Sequence, residues 1–277
     1  MKNTLLAGLV SFSLLFPVGR AIGEEKSAVA AELQLLVSRI QAKLDQGKNS
    51  KADLAPEIRG FEALLEKHKD QRTDDLADVL WTEARLYLQV LDDSDKSREL
   101  ALRLKQDFPN SKPGRGANSL LASITAHEVA KRIHGGFITG GQLPGFDEKD
   151  VARKPLSLAS YQGRVVLLDF WAIWSKPCMA QLPNVLDIYN KYHARGFEII
   201  GISLDPDEMR LTAFTAQNGI PWQQFFDGKV WKTKLAVQYG ITTIPANYLL
   251  DRDGKIAGKN LHGPALEREV ARLLAQK

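Results

Sequence analysis

Apolar residues recur at helical spacing through residues 26–134, so this part of the chain is predicted to be all-α. Positions three and four apart share one face of a helix, and a run of such positions indicates an amphipathic helix. The first predicted helix carries five of them: Leu33, Leu36, Val37, Ile40 and Leu44. Further helices are predicted over four ranges that turn-forming residues separate: 58–67, 76–91, 94–107 and 117–133.

Short helices joined by tight turns predict antiparallel pairs, for which two arrangements remain open. Residues 97–111 resemble the second helix and exit turn of a tetratricopeptide-type repeat. No clean period of about 34 residues accompanies that segment, although such a repeat would need one. A plain helical bundle therefore explains the pattern equally well.

A different pattern begins after residues 135–141, a glycine-rich stretch that predicts a linker. Apolar runs of strand length occupy residues 164–170 and 197–204, and a helix-compatible segment at 179–195 separates them. Strand, helix and strand at this spacing predict a parallel βαβ unit.

The chain is predicted to end in an antiparallel hairpin and a helix. Residues 247–257 form two short strand patterns around an Asp-Gly turn, and residues 264–276 have a helical pattern. The predicted fold class is therefore an α/β domain with a mixed sheet and flanking helices, preceded by an all-α helical domain. The predicted boundaries are 24–135 for the helical domain and 136–277 for the α/β domain.

Residues 1–23 are predicted to be a secretory signal peptide. Lys2 gives a positive start, an apolar run spans residues 5–18, and small residues end at Gly23. The run is shorter than the roughly 20 residues that a membrane-spanning helix needs. The protein is thus expected to be exported to the periplasm or another extracytoplasmic compartment. An uncleaved N-terminal anchor, which would tether the protein to the membrane, is the alternative.

The net charge and the cysteine content bear on the partners of the protein and on what stabilises its fold. The chain carries 37 Lys and Arg against 33 Asp and Glu, and the predicted leader includes two of the basic residues, Lys2 and Arg20. Charges so nearly balanced give no support to a nucleic-acid partner. Cys178 is the single cysteine, so an exported chain must be stabilised by its cores and not by internal disulfides.

No cofactor or metal ion is predicted. His127 and His134 stand seven apart on a predicted helix and could share a face, but no further ligands are evident. Solvated or partly packed side chains explain both histidines. Asp251 and Asp253 lack the remaining acidic ligands of a calcium loop, and they fit the hairpin turn.

Candidate chemistry concentrates in residues 171–178, Trp-Ala-Ile-Trp-Ser-Lys-Pro-Cys, directly after the first predicted strand of the α/β domain. From about residue 142 to residue 277 the chain resembles the thioredoxin-like oxidoreductases of the extracytoplasmic TlpA/ResA type. The resemblance rests on segments that occur in the family's order: 143–146, 165–172, 177–178, 201–205, 239–241, 244–245 and 253–256. It implies a thioredoxin-like fold for this domain, and thiol–disulfide exchange with a protein or peptide thiol partner.

The resemblance implies roles for three residues. Cys178 would lie in the first turn of a helix, where the helix dipole favours a thiolate by roughly 0.3–1 kcal/mol. Asp169 falls where thioredoxins carry a buried carboxylate that helps to move a proton to or from the second cysteine, and a purely structural carboxylate is equally open. Pro245 matches the family's cis-proline, which lies beside the active turn and pairs with the substrate backbone.

Two positions depart from the family pattern. Ser175 stands at the exposed helix tip, where the family places its attacking sulfur, and a hydroxyl neither joins a disulfide nor attacks without an activating base. Serine also commonly caps helices, so a capping role is the alternative for Ser175. Gln181 replaces a glutamate that many members carry, and an amide cannot titrate as a carboxylate can.

Three functional hypotheses follow. The first is residual one-thiol chemistry, in which Cys178 forms mixed disulfides and an external thiol releases them. The second is a non-catalytic binding or scaffold module that holds a polypeptide at the Pro245 surface, with a further protein partner on the helical domain. The third, a one-cysteine peroxiredoxin-like peroxidase, rests on the Ser-x-x-Cys turn alone, since Trp171 stands where those enzymes carry a proline.

Overall fold

Helices form the N-terminal part of the computed structural model, which describes residues 27–276. Their bounds are α1 Ala28–Leu44, α2 Ala55–Lys67, α3 Asp74–Gln89, α4 Ser94–Asp107 and α5 Lys112–Gly136. Described residues up to Glu128 form one compact unit and those from Val129 onward form a second, so the boundary along the chain lies within α5. The all-α prediction for this part of the chain is confirmed.

Side-chain caps and one shared core explain these helices. Three N-cap side chains accept a backbone hydrogen bond from the residue three positions along: Ser27 before α1, Thr73 before α3 and Asp93 before α4. The apolar faces meet in a core with seven large side chains fully buried: Ile40, Leu54, Phe61, Leu76, Leu80, Leu86 and Leu104. Helices of this length are stabilised mainly by such burial and only weakly by propensity.

The helix α5 begins earlier than the apolar pattern predicts, because its first turn is built from residues outside that pattern. Ser111 Oγ accepts a hydrogen bond from Gly114 N at 2.9 Å, and Pro113 suits a first turn, where no backbone N–H is needed. Only glycine fits at position 114, since a Cβ there would lie 1.8 Å from the carbonyl oxygen of Phe108.

The second unit is built on a five-stranded mixed sheet. Its strands are β3 Val165–Trp171, β4 Phe197–Ser203, β5 Gln224–Phe225, β6 Ala246–Leu250 and β7 Ile256–Lys259, and a separate hairpin pairs β1 Asp147–Lys149 with β2 Pro155–Ser157. The order across the sheet is β5-β4-β3-β6-β7, with β3, β4 and β5 parallel and β6 and β7 antiparallel to their neighbours. The helices of this unit are α6 Lys176–Tyr192, α7 Glu208–Gln217, α8 Lys234–Gln238 and α9 Gly263–Ala275. The predicted mixed sheet with flanking helices is confirmed.

The strand β3 lies at the centre of the sheet and is buried on both faces, which explains its continuous apolar run. Val166 and Leu168 pack into the core on one face. Val165 and Leu167 pack on the other face, in a core that includes residues of α6 and α9. Because side chains alternate along a strand, Asp169 lies on this second face.

The predicted leader, residues 1–23, lies outside the described residues. Within residues 27–276, no helix is long and apolar enough to cross a membrane. Export therefore stays a prediction from the sequence.

The helical unit contains a buried acid whose ionisation affects its stability. Glu83 of α3 is 2% exposed, and burial raises the pKa of its carboxyl from 4.5 to about 7. Between those two values the folded chain keeps a proton that the unfolded chain has released, so stability falls as pH rises through this window. The loss amounts to about 3 kcal/mol at most, at about 1.4 kcal/mol for each pKa unit.

Glu83→Gln keeps the shape of this side chain and removes its charge. Thermal unfolding should be measured at about pH 4.5 and about pH 7.5. The melting temperature of the variant should rise relative to that of wild type between these two pH values, because only wild type must bury a carboxylate at the higher pH. Asp70→Asn, which alters an exposed acid, is the control and should show no such gain. The prediction would be contradicted if Glu83→Gln changed the melting temperature by the same amount at both pH values.

Candidate active site

Ser175 forms the start of α6 through its side chain. It is the N-cap residue, and its Oγ accepts a hydrogen bond from Cys178 N at 3.4 Å. Its own N–H donates to Ala172 O at 3.1 Å, which closes the turn after β3. Ser175 is 4% exposed, so the expectation of an exposed residue at the helix tip is wrong. The packing of this turn commits the hydroxyl to a structural hydrogen bond.

Cys178 is the third residue of α6, and its sulfur is buried. The residue is 4% exposed, and mainly this burial raises the pKa of the thiol from 9.0 to about 12. The carboxyls of Asp169 and Asp205 act in the same direction, and hydrogen bonding to Ser175 and Ala172 opposes them. The change corresponds to roughly 4 kcal/mol, whereas a helix dipole supplies roughly 0.3–1 kcal/mol. Burial therefore outweighs the contribution expected from the helix dipole at this position.

A small cavity lies beside the end of β3, the first turns of α6 and the turn before α9. Its volume is about 20 Å³, which is enough for one water molecule. Seven side chains with a polar or ionisable group line it together with Pro245: Asp169, Trp171, Cys178, Gln181, Trp222, Asn247 and His262. The structure thus brings Asp169, Cys178 and Pro245 together around one cavity, and Ser175 is not among the lining residues.

Asp169 supplies the carboxyl of this cavity. Burial raises the pKa of that carboxyl from 3.8 to about 7, with no opposing hydrogen bond or positive charge from the described residues. Its cross-strand neighbour is Asn247, whose amide is committed to Leu261: it donates to Leu261 O at 2.8 Å and accepts from Leu261 N at 2.9 Å. Asp169 can therefore gain or lose a proton near neutral pH.

Pro245 stands beside the turn that holds Cys178. It directly precedes β6, and the Ile244–Pro245 peptide bond is cis. The next residue, Ala246, pairs with Phe170 of β3, which brings Pro245 to the end of β3 where α6 begins. Pro245 is half-buried there and lines the same cavity as Cys178.

Asp205 anchors the turn between β3 and α6, a role that was not predicted from the sequence. Its two carboxylate oxygens accept hydrogen bonds from Ile173 N at 3.1 and 3.2 Å. Ser203 Oγ donates to Asp205 Oδ2 at 2.9 Å. Asp205 follows β4, and the carboxyl ends of the parallel neighbours β3 and β4 meet at one edge of the sheet. The sequence signal was a polar pair at the end of the second predicted strand.

Trp174, the residue before Ser175, forms an exposed aromatic pair with Trp231. Their ring centroids lie 6.0 Å apart in an edge-on arrangement, and Trp174 Nε1 donates a hydrogen bond to Leu204 O at 3.3 Å. More than a third of each residue is exposed, 37% and 38% respectively. The Trp174–Trp231 pair therefore presents an apolar surface next to the turn.

The histidines that the sequence singled out are not part of this site. His127 Nε2 lies 2.9 Å from an oxygen of Asp92, and the His134 ring packs against Tyr248 with centroids 5.3 Å apart. In residues 27–276, no group of three or more His, Cys, Asp or Glu side chains is placed to hold a metal ion. His262, by contrast, lines the cavity although no pattern in the sequence pointed to it.

Comparison with known proteins identifies the class of the second unit. The AhpC/TSA family profile matches residues 139–259. Thiol-disulfide oxidoreductase ResA of Bacillus cereus (strain ZK / E33L) is 32% identical over 120 residues, which cover 43% of this chain and 68% of that protein. ResA of Bacillus thuringiensis subsp. konkukian (strain 97-27) is 32% identical over 119 residues, which cover 42% of this chain and 66% of that protein.

A solved structure is also similar to this unit. A putative thiol:disulfide interchange protein DsbE from Chlorobium tepidum is 28% identical, with a TM-score of 0.46, and the match covers 50% of this chain and 99% of that one. The chain belongs to the thioredoxin-like thiol-disulfide oxidoreductase family of the ResA type. It spans only about two thirds of the length of its ResA relatives, 66% for the Bacillus thuringiensis protein.

Asp205→Ala should loosen the turn that buries Cys178. The change leaves Ile173 N–H without its acceptor, at a cost on the order of 1–3 kcal/mol, and it removes a charge that raises the pKa of the Cys178 thiol. Alkylation of the native protein by iodoacetamide, followed by mass spectrometry, should therefore be several-fold faster than in wild type.

Asp187→Ala is the matched control for this experiment, because Asp187 is an exposed acid on the same helix as Cys178. It should react at the wild-type rate. A folded Asp205→Ala variant with an unchanged alkylation rate would show that Asp205 does not hold the turn closed.

Proposed function

We propose that this chain is an exported protein that carries out one-sulfur thiol–disulfide chemistry through Cys178. The observation that carries the proposal is the single thiol of the chain, Cys178, placed in one cavity with Asp169 and Pro245. Asp169 is an acid whose pKa is about 7, so it is suited to proton exchange beside a thiol. Membership of the family supports the class of reaction, and export rests on the predicted leader, residues 1–23.

The proposed reaction uses one sulfur in two steps. The Cys178 thiolate attacks a disulfide of the partner, a new bond to Sγ forms, and the other partner sulfur leaves as a thiolate. A thiol from solution then attacks the mixed disulfide, which returns Cys178 as a thiol and joins the partner sulfur to the incoming one. Ser175 cannot resolve the mixed disulfide, because a hydroxyl does not form one.

The proposed partner is a polypeptide that carries a thiol or a disulfide. Pro245 is half-buried beside Cys178, and the Trp174–Trp231 pair extends an apolar surface from the same turn. Exposed tryptophan side chains supply much of the binding energy in many protein interfaces. The helical unit is proposed as the place for a further protein partner.

A non-catalytic binding module is the competing proposal, and one observation favours it. The Cys178 residue is 4% exposed, and burial raises the pKa of its thiol to about 12. Such a thiol is almost wholly protonated at neutral pH, and the thiol is not the nucleophile. A polypeptide would then bind at Pro245 and the Trp174–Trp231 pair with no covalent step.

Variants at the two ends of the Ser-x-x-Cys turn separate these proposals. Wild type should form a mixed disulfide with oxidised glutathione, seen as a protein adduct by mass spectrometry, and Cys178→Ala should form none. With a dithiol as reductant, wild type should reduce insulin faster than Cys178→Ala, because the dithiol supplies the thiol that releases the mixed disulfide. Ser175→Cys should add the second sulfur of the turn, so that an intramolecular disulfide can form, and should raise insulin reduction above wild type by about tenfold or more.

Ser160→Cys is the matched control, because it adds a second thiol at an exposed position that does not line the cavity. It should leave insulin reduction at the wild-type level. Failure of wild type to form any adduct would reject the one-sulfur reaction in favour of the binding module. A folded but inactive Ser175→Cys variant would reject the dithiol geometry attributed to this turn.

A further inference from the structure

His262 is an ionisable residue on the cavity that the proposed reaction leaves without a role. Among the lining residues, only Asp169, Cys178 and His262 can exchange a proton in the ordinary pH range. We infer that His262 is an acid–base partner of Cys178, taking up the thiol proton across the cavity during thiol–disulfide exchange. This inference deepens the proposed one-sulfur function and rests on it.

The position of His262 is not explained by the start of α9. His262 is the N-cap residue of that helix, yet its side chain makes no capping hydrogen bond, and histidine is not among the residues preferred there. Its backbone oxygen accepts from Ala265 N at 3.2 Å. The helix start thus uses the main chain of His262, and the imidazole is left to line the cavity.

Asn247 holds the chain segment that carries His262. Its side-chain amide donates to Leu261 O at 2.8 Å and accepts from Leu261 N at 2.9 Å. Its backbone oxygen also accepts from Asn260 N at 2.9 Å. These bonds tie the two residues before His262 to β6, the strand that pairs with β3 beside Asp169.

The cavity is small and polar enough for a proton to cross it through one water molecule. Its volume is about 20 Å³, close to the space that a single water needs. Trp222 is 7% exposed, and its Nε1 has no hydrogen-bond partner among the described residues. A buried N–H of this kind calls for a hydrogen-bonded occupant such as water.

The proton balance of the step is simple. The thiol proton of Cys178 passes through the cavity to the neutral imidazole of His262 as Sγ attacks the partner disulfide. The leaving partner thiolate is then protonated by the imidazolium or by solvent. Cys178 is oxidised to the mixed disulfide while the partner disulfide is reduced, so no further oxidant is required. Gln181 cannot take this role, because an amide does not titrate.

Two other ionisable groups line the cavity with His262. Asp169 faces the cavity from β3, and Cys178 faces it from α6. Asn247 of β6 is neutral, and Glu267 of α9 is paired with Lys191 at 2.7 Å. Burial lowers the pKa of the His262 imidazole below its ordinary 6.5, so the ring is a neutral base at pH 7.

The first test measures how fast Cys178 forms a mixed disulfide with 2,2′-dithiodipyridine between about pH 5 and about pH 9. The wild-type rate should show a bend below pH 6.5, where the imidazole loses its proton. His262→Gln should lose this bend and react about tenfold or more slowly at neutral pH. His193→Gln, which alters an exposed histidine just after α6, is the control and should keep both the rate and the bend.

The outcomes separate this inference from the proposed function. If His262→Gln keeps the bend and the rate, the inference is overturned while one-sulfur chemistry at Cys178 stands. If wild-type Cys178 forms no mixed disulfide, the inference and the proposed function fail together.

A second readout does not depend on His262→Gln folding. In an NMR pH titration of wild type, the His262 imidazole should lose its proton over the same pH range in which the Cys178 rate bends, because one proton equilibrium would govern both. A His262 titration that does not coincide with the bend in the Cys178 rate would overturn the inference.

Discussion

The burial of the Cys178 thiol beside the start of α6 is the constraint on which the chemistry of this site depends. The Cys178 thiol is buried there and Asp169 is half-buried, and removal from water raises the pKa of each, to about 12 and about 7. Burial opposes the helix dipole at Cys178 and outweighs it, since roughly 4 kcal/mol stands against roughly 1 kcal/mol at most. The only thiol of the chain is thus kept protonated, and a thiol must lose its proton before it can attack a disulfide.

Two buried polar side chains fix the chain segments that surround the cavity. Asp205 at the end of β4 accepts from the backbone of Ile173 and so fixes the turn that leads to Cys178. Asn247 on β6 holds Leu261 through both atoms of its amide group and so fixes the start of α9. Each binds main-chain atoms of the neighbouring segment, so the cavity is formed by hydrogen bonds between distant parts of the sequence as well as by apolar packing.

The periodic parts of the fold could be predicted from the sequence because burial repeats along them. The strand β3 shows this best: its apolar run reflects burial on both faces, and Asp169, the one polar residue of the strand, lines the cavity. The order of strand, helix and hairpin follows from similar local patterns. The first turn of α5 could not be predicted in this way, since Ser111 and Gly114 form it by hydrogen bonding and close approach without an apolar repeat.

The residues that belong to the site could be predicted from the sequence, whereas the burial of those residues could not. Asp169, Cys178 and Pro245 could be identified from the family pattern, but the burial of Cys178 depends on β3, β4 and the segment before α9, which are distant in the chain. The same burial makes Ser175 a structural cap and not an exposed tip. His262 had no signal in the sequence, because its place depends on the hydrogen bonds of Asn247 to the preceding residues.

The most direct test of this account is the thiol pKa of Cys178 in the native protein. Since Cys178 is the only cysteine, cysteine labelled with a carbon isotope gives a single Cβ signal whose shift reports ionisation during an NMR pH titration. The account predicts a midpoint well above 9.0, towards 12. A midpoint at or below the value of a free cysteine, about 8.5, would contradict the claim that burial controls this site.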